Sequence, residues 1–301
     1  MTRHFLRLSD LSAAEHRALF DRAHALKTAR QAHQPLKTLD GRTLVLVFEK
    51  ASTRTRLSFE AAMFQLGGSA ITLPYSESQL SRGEPLADTA RVISGYADAV
   101  MVRTFGDDRL AEFARHARVP VINGLTDGGH PVQLLADLFT VEERLGGVKG
   151  KTVAWVGDGA SNMTRSWMEA AALFDFTLRI AAPEAFRPPA ADLAASGGHA
   201  TWVTDPREAV QGADVVTTDV WTSMGQEAES ARRREAFQGF CVDGAMVRLA
   251  KPEAIVLHCL PAHRGEEITA EVIDSAQSAI WQEAENRMHV QKALLEKLIL
   301  G

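Results

Sequence analysis

Short apolar runs rich in β-branched residues alternate along this chain with longer segments in which apolar residues recur every three or four positions. Such alternation is typical of strands that are each followed by a helix, and it predicts parallel sheets. Helices are also expected near the two ends of the sequence, over residues 12–30 and 283–300. The predicted strands are residues 43–48, 70–73, 99–102, 120–122, 152–156, 177–181, 200–203, 214–218 and 254–257.

The predicted strands form two sets, separated by the glycine-rich residues 146–150. Glycines at this point end the helix expected over residues 131–144 and mark a turn. A chain of 301 residues is also long for a single hydrophobic core. The pattern therefore predicts an α/β protein of two domains, each a parallel β-sheet flanked by helices.

Composition narrows the class of protein. Hydrophobic residues make up 46% and charged residues 24% of the chain, which is typical of a globular protein. The formal net charge of -5 gives no broad basic surface, so nucleic acid is not expected as a partner. Residues 1–10 lack the apolar centre of a signal peptide, and no apolar run approaches the roughly 20 residues that span a bilayer. We therefore expect a cytoplasmic protein without a membrane partner.

The first predicted strand runs into Ser52-Thr53-Arg54-Thr55-Arg56, which precedes a helical pattern. A strand, a loop of hydroxyl residues and a helix N-terminus together offer free backbone N–H groups and the positive end of a helix dipole to an anion. The two arginines add charge-assisted hydrogen bonds that suit phosphate. Alternatively, Ser52 or Thr53 only caps the helix while the arginines are solvated. Two arginines among three hydroxyl residues favour the phosphate site.

Two further candidate sites follow later strands of the first half. Arg103 comes directly after the strand over residues 99–102, and a glycine-rich loop over residues 123–133 brings His130 and Gln133 to a helix start. Ligands of open α/β sheets bind beyond the carboxyl ends of the strands, so these positions suit chemistry. Taken alone, Arg103 is equally well explained by a surface salt bridge, and His130 by a structural hydrogen bond.

In the second half, a glycine loop of sequence Gly-Asp-Gly-Ala-Ser-Asn, residues 157–162, follows a predicted strand. The loop resembles part of a dinucleotide-binding turn. Asn162 stands, however, where the G-x-G-x-x-G pattern needs its third glycine. NAD is therefore not expected, and no other cofactor is indicated.

Two other strands of the second half end on a carboxylate and a thiol. Asp219 follows residues 214–218, and Cys259 lies just beyond residues 254–257. Asp219 suits a cationic ligand, or it caps the next helix. Cys259 suits a nucleophile, although no metal-like spacing surrounds it and buried cysteines are more often inert. Neither residue decides the function alone.

Taken in order, five segments resemble the carbamoyltransferase family over essentially the whole chain. They are residues 52–56, 103–104, 130–133 (His-Pro-Val-Gln), Asp219 with 223–225 (Ser-Met-Gly), and 258–261 (His-Cys-Leu-Pro). The first three are shared across the family, and the last two resemble its ornithine branch. The resemblance implies a carbamoyl phosphate-binding domain over residues 1–145, completed by a C-terminal helix over about 283–301, and an ornithine-binding domain over residues 146–282.

The implied reaction transfers the carbamoyl group of carbamoyl phosphate to the δ-amine of L-ornithine and forms L-citrulline and phosphate in arginine metabolism. The implied catalytic residues are Arg103, His130, Asp219 and Cys259. The residues implied to bind carbamoyl phosphate are Ser52, Thr53, Arg54, Thr55, Gln79, Arg103, His130, Gln133, Cys259, Leu260 and Arg287. Those implied to bind ornithine are Asn162, Asp219, Ser223 and Met224. Residues 157–162 are one residue longer than the Gly-Asp-Gly-Asn-Asn usual in the family.

The resemblance also implies a homotrimer, or an assembly of trimers, in which Gln79 reaches the site of a neighbouring subunit. Arg103, His130 and Thr55 supply donors for the oxyanion that develops at the carbonyl carbon, so neither a metal nor a cofactor is expected. Alternative acceptors are aspartate and an acylated ornithine. A non-catalytic protein that binds a phosphate ligand and a nucleotide-dependent dehydrogenase are alternatives from other classes.

Overall fold

A computed structural model of the chain describes residues 3–34, 36–222 and 229–301. The chain divides into two compact units, Met1–Ala136 with Glu285–Gly301, and Asp137–Ala284. Every strand predicted from the sequence is present among the described residues, and the strands of both sheets pair in parallel. Within those residues, no helix is both long and apolar enough to cross a membrane.

The first unit contains a four-stranded sheet with the strand order β2-β1-β3-β4. Its strands are β1 (Thr43–Phe48), β2 (Ser69–Pro74), β3 (Ala99–Arg103) and β4 (Val121–Leu125). The first five α-helices of the chain are α1 (Ala13–Gln31), α2 (Thr53–Gln65), α3 (Leu86–Ile93), α4 (Asp107–His116) and α5 (Pro131–Leu145). β1 is buried along almost its whole length because it is central in the sheet, as its unbroken apolar sequence predicts.

The register of the sheet brings several candidate residues to one edge. Phe48 at the end of β1 pairs with Arg103 at the end of β3. The backbone N–H of Glu49 then donates to the carbonyl oxygen of Arg103 at 2.8 Å. The loop that leads from β1 to α2 therefore starts beside Arg103.

β4 is longer than the sequence pattern suggested. The expected glycine-rich loop was to begin at Asn123, but the strand continues to Leu125. The reason lies in the N-terminal segment, because the backbone of Phe5 accepts a hydrogen bond from the N–H of Asn123 at 2.8 Å. The side-chain amide of Asn123 also donates to the carbonyl oxygen of Leu6 at 2.9 Å. These long-range partners keep an Asn-Gly pair extended.

The second unit contains a five-stranded sheet with the order β7-β6-β5-β8-β9. Its strands are β5 (Thr152–Val156), β6 (Thr177–Ala181), β7 (Ala200–Val203), β8 (Val215–Thr218) and β9 (Ile255–His258). Its helices are α6 (Asn162–Phe174), α7 (Ala190–Ala195), α8 (Pro206–Val210), α9 (Ser230–Ala236), α10 (Gly244–Val247) and α11 (Ala270–Ile273). Thr218 pairs with His258, so Asp219 and Cys259 leave adjacent strands at the same edge.

The last helix, α12 (Ile280–Leu300), begins three residues earlier than the sequence pattern suggested. Its residues from Glu285 onward belong to the first unit. There, Glu296 accepts two hydrogen bonds from Arg22 of α1, at 2.5 and 2.8 Å. Lys27 of α1 donates to the side chain of Asn286 at 2.8 Å. The predicted fold class, with a C-terminal helix that returns to the first unit, is confirmed.

Acid should destabilise the protein through His289, a fully buried residue of α12. Burial, and then the charge of Lys292, lower the pKa of His289 to about 4. In the unfolded chain, His289 becomes protonated near pH 6.5, whereas in the folded chain it stays neutral down to about pH 4. The free energy of unfolding therefore falls as the pH drops from about 6.5 towards 4. We expect His289→Gln to reduce the loss of unfolding free energy over this range by as much as about 3 kcal/mol.

Urea unfolding at a series of pH values would measure this change. At pH 8, where His289 is neutral in both states, the variant reports only the packing cost of the substitution and serves as the reference. Parallel curves for the two proteins between pH 8 and pH 4 would contradict the prediction.

Candidate active site

The N-terminus of α2 has the geometry of an anion site. The hydroxyl of Ser52 caps the helix by accepting from the N–H of Thr55 at 3.4 Å, so the capping role considered from the sequence is present. In a helix, the first N–H groups have no partner within the helix itself. The N–H groups of Thr53 and Arg54 lie in this first turn, beside the positive end of the helix dipole. The cap and an anion site are thus compatible.

Arg56 takes a different direction from the one expected for a phosphate ligand. Its Nε lies 2.9 Å from the carboxylate of Glu60, one turn further along α2, and its side chain is 54% exposed. The expectation that both arginines of the motif face the anion is therefore wrong for Arg56. Arg54 lies on another side of the helix, and its positive charge helps to lower the pKa of His130.

Thr55 is the centre of a buried polar cluster in the first unit. Its hydroxyl oxygen accepts from Arg287 at 2.9 Å and lies 3.4 Å from a guanidinium nitrogen of Arg103. Arg287 also donates to the side-chain oxygen of Gln133. All four side chains are less than a tenth exposed. Two buried guanidinium groups thus converge on neutral oxygens, which is an arrangement suited to an anionic ligand.

His130 lies at the start of α5, where its carbonyl oxygen accepts from the N–H groups of Gln133 and Leu134 at 3.1 and 3.2 Å. Burial, followed by the charges of Arg287, Arg103 and Arg54, holds the pKa of His130 well below its ordinary value. The imidazole is therefore neutral near pH 7, and a neutral imidazole retains one N–H donor for an oxygen ligand.

Gln79 lies apart from this cluster. It is exposed at the start of a short 3₁₀ helix, Gln79–Arg82, that follows β2. Among residues 3–34, 36–222 and 229–301, the Gln79 side chain has no hydrogen-bond partner. Its suggested place in a neighbouring subunit's site remains a prediction.

In the second unit, Asp219 and Cys259 meet beyond β8 and β9. The Cys259 Sγ and a carboxylate oxygen of Asp219 lie within 4.8 Å of each other. The N–H of Val220 donates to Asp219 Oδ1 at 2.7 Å. Burial raises the pKa of Asp219. Burial and the Asp219 charge raise the pKa of Cys259 well above its ordinary value. The thiol is therefore protonated near neutral pH, which favours a donor over the nucleophile considered from the sequence.

No sequence signal pointed to the residues that fix the backbone around Cys259. The N–H of His258 donates to Glu283 at 2.9 Å. The ring of His258 accepts from the N–H of Leu260 at 2.8 Å, and its other nitrogen lies 3.2 Å from Glu267. Both carboxylates are at most 1% exposed. Only their tertiary position identifies them, because they lie 9 and 25 residues from His258 in sequence.

Asn162 begins α6, directly after the cap residue Ser161. The preceding loop is tightly packed, since a side chain at Gly159 would come within 2.8 Å of the carbonyl oxygen of Phe186. Asp158 in this loop binds Arg233 at 2.7 Å. Asn162 is partly exposed at this edge of the second sheet.

Arg233 also donates to the carbonyl oxygen of Trp221 at 2.9 Å, and its guanidinium group stacks on the ring of Phe186. This buried ion pair, which the sequence did not suggest, ties the loop after β5 to the segment after β8. Ser223 and Met224, the other residues expected to bind ornithine, lie outside the described residues. The next described helix after Asp219 starts at Ser230, so Asp219 does not cap α9.

These features define a class of protein: an enzyme of two parallel α/β units, in which one carries a cationic cluster for an anion and the other a carboxylate beside a protonated thiol. Residues 3–143 match the protein-family model for the carbamoyl-P binding domain of aspartate/ornithine carbamoyltransferase. Residues 149–298 match the family model for the Asp/Orn binding domain of aspartate/ornithine carbamoyltransferase. The chain belongs to the aspartate/ornithine carbamoyltransferase family.

Individual relatives agree with this assignment. The chain is 55% identical over 300 residues to ornithine carbamoyltransferase of Azoarcus sp. (strain BH72), with 99% of this chain and 96% of the relative covered. Among solved structures, ornithine carbamoyltransferase from Burkholderia thailandensis E264 is 48% identical, with a TM-score of 0.92 and 99% of each chain covered. Anabolic ornithine carbamoyltransferase from Campylobacter jejuni is 41% identical, with a TM-score of 0.91 and 99% of each chain covered.

Proposed function

We propose that this enzyme transfers the carbamoyl group of carbamoyl phosphate to the δ-amine of L-ornithine and releases L-citrulline and phosphate. The observation that carries the proposal is the buried cluster of Thr55, Arg103 and Arg287 beside the neutral ring of His130. The cluster lies in the part of the chain that matches the carbamoyl-P binding domain of the family. Full-length relatives named ornithine carbamoyltransferase support ornithine as the acceptor.

In this proposal, the N-terminus of α2 holds the phosphate through Ser52, Thr53, Arg54 and Thr55. Arg103, His130 and Thr55 donate to the carbamoyl oxygen. Attack by the amine turns this oxygen into an oxyanion, so donors fixed in a buried cluster stabilise the transition state more than the substrate. The residues that complete the carbamoyl site are Gln133, Cys259, Leu260 and Arg287.

The acceptor half of the proposed site lies in the second unit. Asp219 and Cys259 orient the δ-amine, which must be neutral to attack, and the departing phosphate accepts its proton. The raised pKa of Cys259 supports a thiol that acts as a donor and is not ionised. Asn162, Ser223 and Met224 complete ornithine binding in this proposal. No step requires a metal or a cofactor.

We further propose a cytoplasmic enzyme of arginine biosynthesis that works as a homotrimer, alone or within an assembly of trimers. The relative described as anabolic supports the biosynthetic direction. The exposed position of Gln79 supports a role in the site of a neighbouring subunit.

The acceptor is tested by steady-state assays of the purified enzyme with carbamoyl phosphate and one of three amines, L-ornithine, L-aspartate or N-acetylornithine. We expect citrulline formation, with kcat/KM for ornithine far above that for the other two. A preference for aspartate or for the acetylated amine would overturn the proposal. Binding of carbamoyl phosphate without citrulline formation would indicate a non-catalytic protein.

Mixed trimers test the shared site. We expect Gln79→Ala and Arg54→Ala to be nearly inactive alone but to regain activity when assembled together. An intact site then needs one chain with Arg54 and a neighbour with Gln79, so an equal mixture should reach one half times one half, about a quarter, of the wild-type activity.

The matched control is a mixture of Arg54→Ala with Arg103→Ala. Both residues act within one chain in this proposal, so this pair should regain nothing. If the two mixtures regained the same activity, Gln79 would not act across subunits.

A further inference from the structure

A cluster of three potential metal ligands lies just beyond β9, outside the residues to which the proposed reaction gives a role. His263 Nδ1 lies 3.9 Å from Glu266 Oε2 and 4.0 Å from Glu267 Oε2. The three ligand atoms all lie within 4.8 Å of one another. The sequence pattern does not indicate this group, because the spacing of its three ligands matches no common metal motif.

A tight turn brings the three side chains together. The N–H of Glu266 donates to the carbonyl oxygen of His263 at 2.9 Å. Gly265, the third residue of this turn, has a φ of +93°, which glycine adopts without strain and a type II turn requires at that position. The turn closes on Ile268, whose carbonyl oxygen accepts from Gly265 at 2.9 Å.

Glu267 supplies an independent indication of a ligand. Its side chain is 0% exposed. Its Oε1 accepts from the N–H of His263 at 2.6 Å and lies 3.2 Å from His258 Nε2. Its Oε2, which faces the His263 ring, accepts no hydrogen bond within the described residues. A buried carboxylate oxygen without a donor is unfavourable, so a cation at this position would stabilise it.

We propose that His263, Glu266 and Glu267 bind a divalent cation of the Zn²⁺ type through one imidazole nitrogen and two carboxylate oxygens. Bonds of about 2.0–2.2 Å in a tetrahedral Zn²⁺ site place ligand atoms about 3.4 Å apart. The two separations from His263 Nδ1, 3.9 and 4.0 Å, need a closure of about 0.5 Å. The two carboxylate oxygens, which lie within 4.8 Å of each other, need a closure of at most about 1.4 Å. The side chains of His263 and Glu266, which are 52% and 32% exposed, have space to move towards the buried oxygen.

Arg234, a positive side chain beside the cluster, does not occupy the proposed metal-binding oxygens. Arg234 lies 3.1 Å from Glu266 Oε1, so the Oε2 of the same carboxylate points to the site. Because His263 is half exposed, water is available for the fourth position of the metal.

The bound cation would act as a clamp on the segment between His258 and Glu267. Glu267 already holds the His258 ring and the backbone of His263 through its other oxygen. A metal on Oε2 would fix the same carboxylate from the opposite side and tie it to the turn. This inference does not depend on the proposed reaction, since none of the three ligands has a role in it.

Zinc binding to metal-free, full-length protein, measured in competition with a chromophoric chelator, tests the inference. We expect one strong site in the wild type. His263→Ala and Glu266→Gln should each weaken it at least about tenfold, since even loss of a group behind a ligand costs that much. Zinc should raise the thermal unfolding midpoint of the wild type and leave that of His263→Ala unchanged.

A neighbouring group, Asp219 with His258 and Cys259, is an alternative zinc site because its ligand atoms also lie within 4.8 Å of one another. Cys259→Ser should leave the measured affinity unchanged, and Co²⁺ bound to the wild type should show no intense thiolate charge-transfer band. His199→Ala, which removes a histidine elsewhere in the same unit, is the control for adventitious binding.

The inference fails if the wild type binds no zinc, if His263→Ala binds it as tightly as the wild type, or if Cys259→Ser abolishes binding. Circular dichroism of each variant, and a second variant His263→Gln, separate loss of a ligand from loss of the fold.

Discussion

Replacement of Arg103 by methionine should lower kcat by about a hundredfold to a thousandfold, the usual effect of removing one donor to a developing oxyanion. Arg103 is 8% exposed, and its guanidinium group reaches Thr55 at 3.4 Å, so water cannot readily take its place. Methionine keeps much of the aliphatic volume and removes the charge. Citrulline formation at saturating concentrations of both substrates measures the change.

Arg56→Met is the matched control, because Arg56 belongs to the same motif but pairs with Glu60 on the surface. We expect this variant to keep nearly the full kcat and to lose only the small contribution of an exposed ion pair. If both variants lost the same activity, the cluster around Thr55 would not be the catalytic centre.

Asp219→Asn should lower kcat/KM for ornithine by about 10- to 150-fold, since a hydrogen bond to a charged group contributes about 1.5–3 kcal/mol. The substitution preserves shape but removes the negative charge beside Cys259 that orients the amine in this proposal. Binding of carbamoyl phosphate by the free enzyme should stay within about twofold of wild type, which calorimetry can measure.

Asp274→Asn tests whether the effect is specific to this carboxylate. Asp274 lies in the same unit, is 59% exposed and pairs with Arg264 at 2.6 Å on the surface. Its loss should leave ornithine kinetics unchanged. A normal kcat/KM for ornithine in Asp219→Asn would remove Asp219 from the acceptor site.

Much of the fold followed from the sequence because the signals are local. A buried parallel strand such as β1 requires an unbroken apolar run, and Thr43–Phe48 has one. The cap of α2 at Ser52 was likewise readable, because capping depends on a few adjacent residues. Where the pattern misjudged an element, as at Asn123, a partner far along the chain had replaced the local preference.

The residue types of the candidate site could be predicted from the sequence, but the positions of their side chains could be predicted only in part. Positions after strands pointed to Arg103 and Asp219, since carboxyl ends of parallel strands share an edge. Arg56 was assigned to the anion because the sequence does not state which way a side chain turns on a helix. A family resemblance was needed to name Arg287, which lies 232 residues from Thr55.

The sequence by itself determined the strand and helix pattern, the division into two parallel α/β halves and the hydroxyl-rich start of α2. Only the tertiary structure decided that Arg287 binds Thr55 and that Glu267 and Glu283 hold His258. It also decided that one oxygen of Glu267 has no donor among the residues that the structure describes. The physical reason is the distance along the sequence over which each interaction acts. Hydrophobic periodicity and capping act between neighbours along the chain, whereas buried charges find their partners through packing of distant segments.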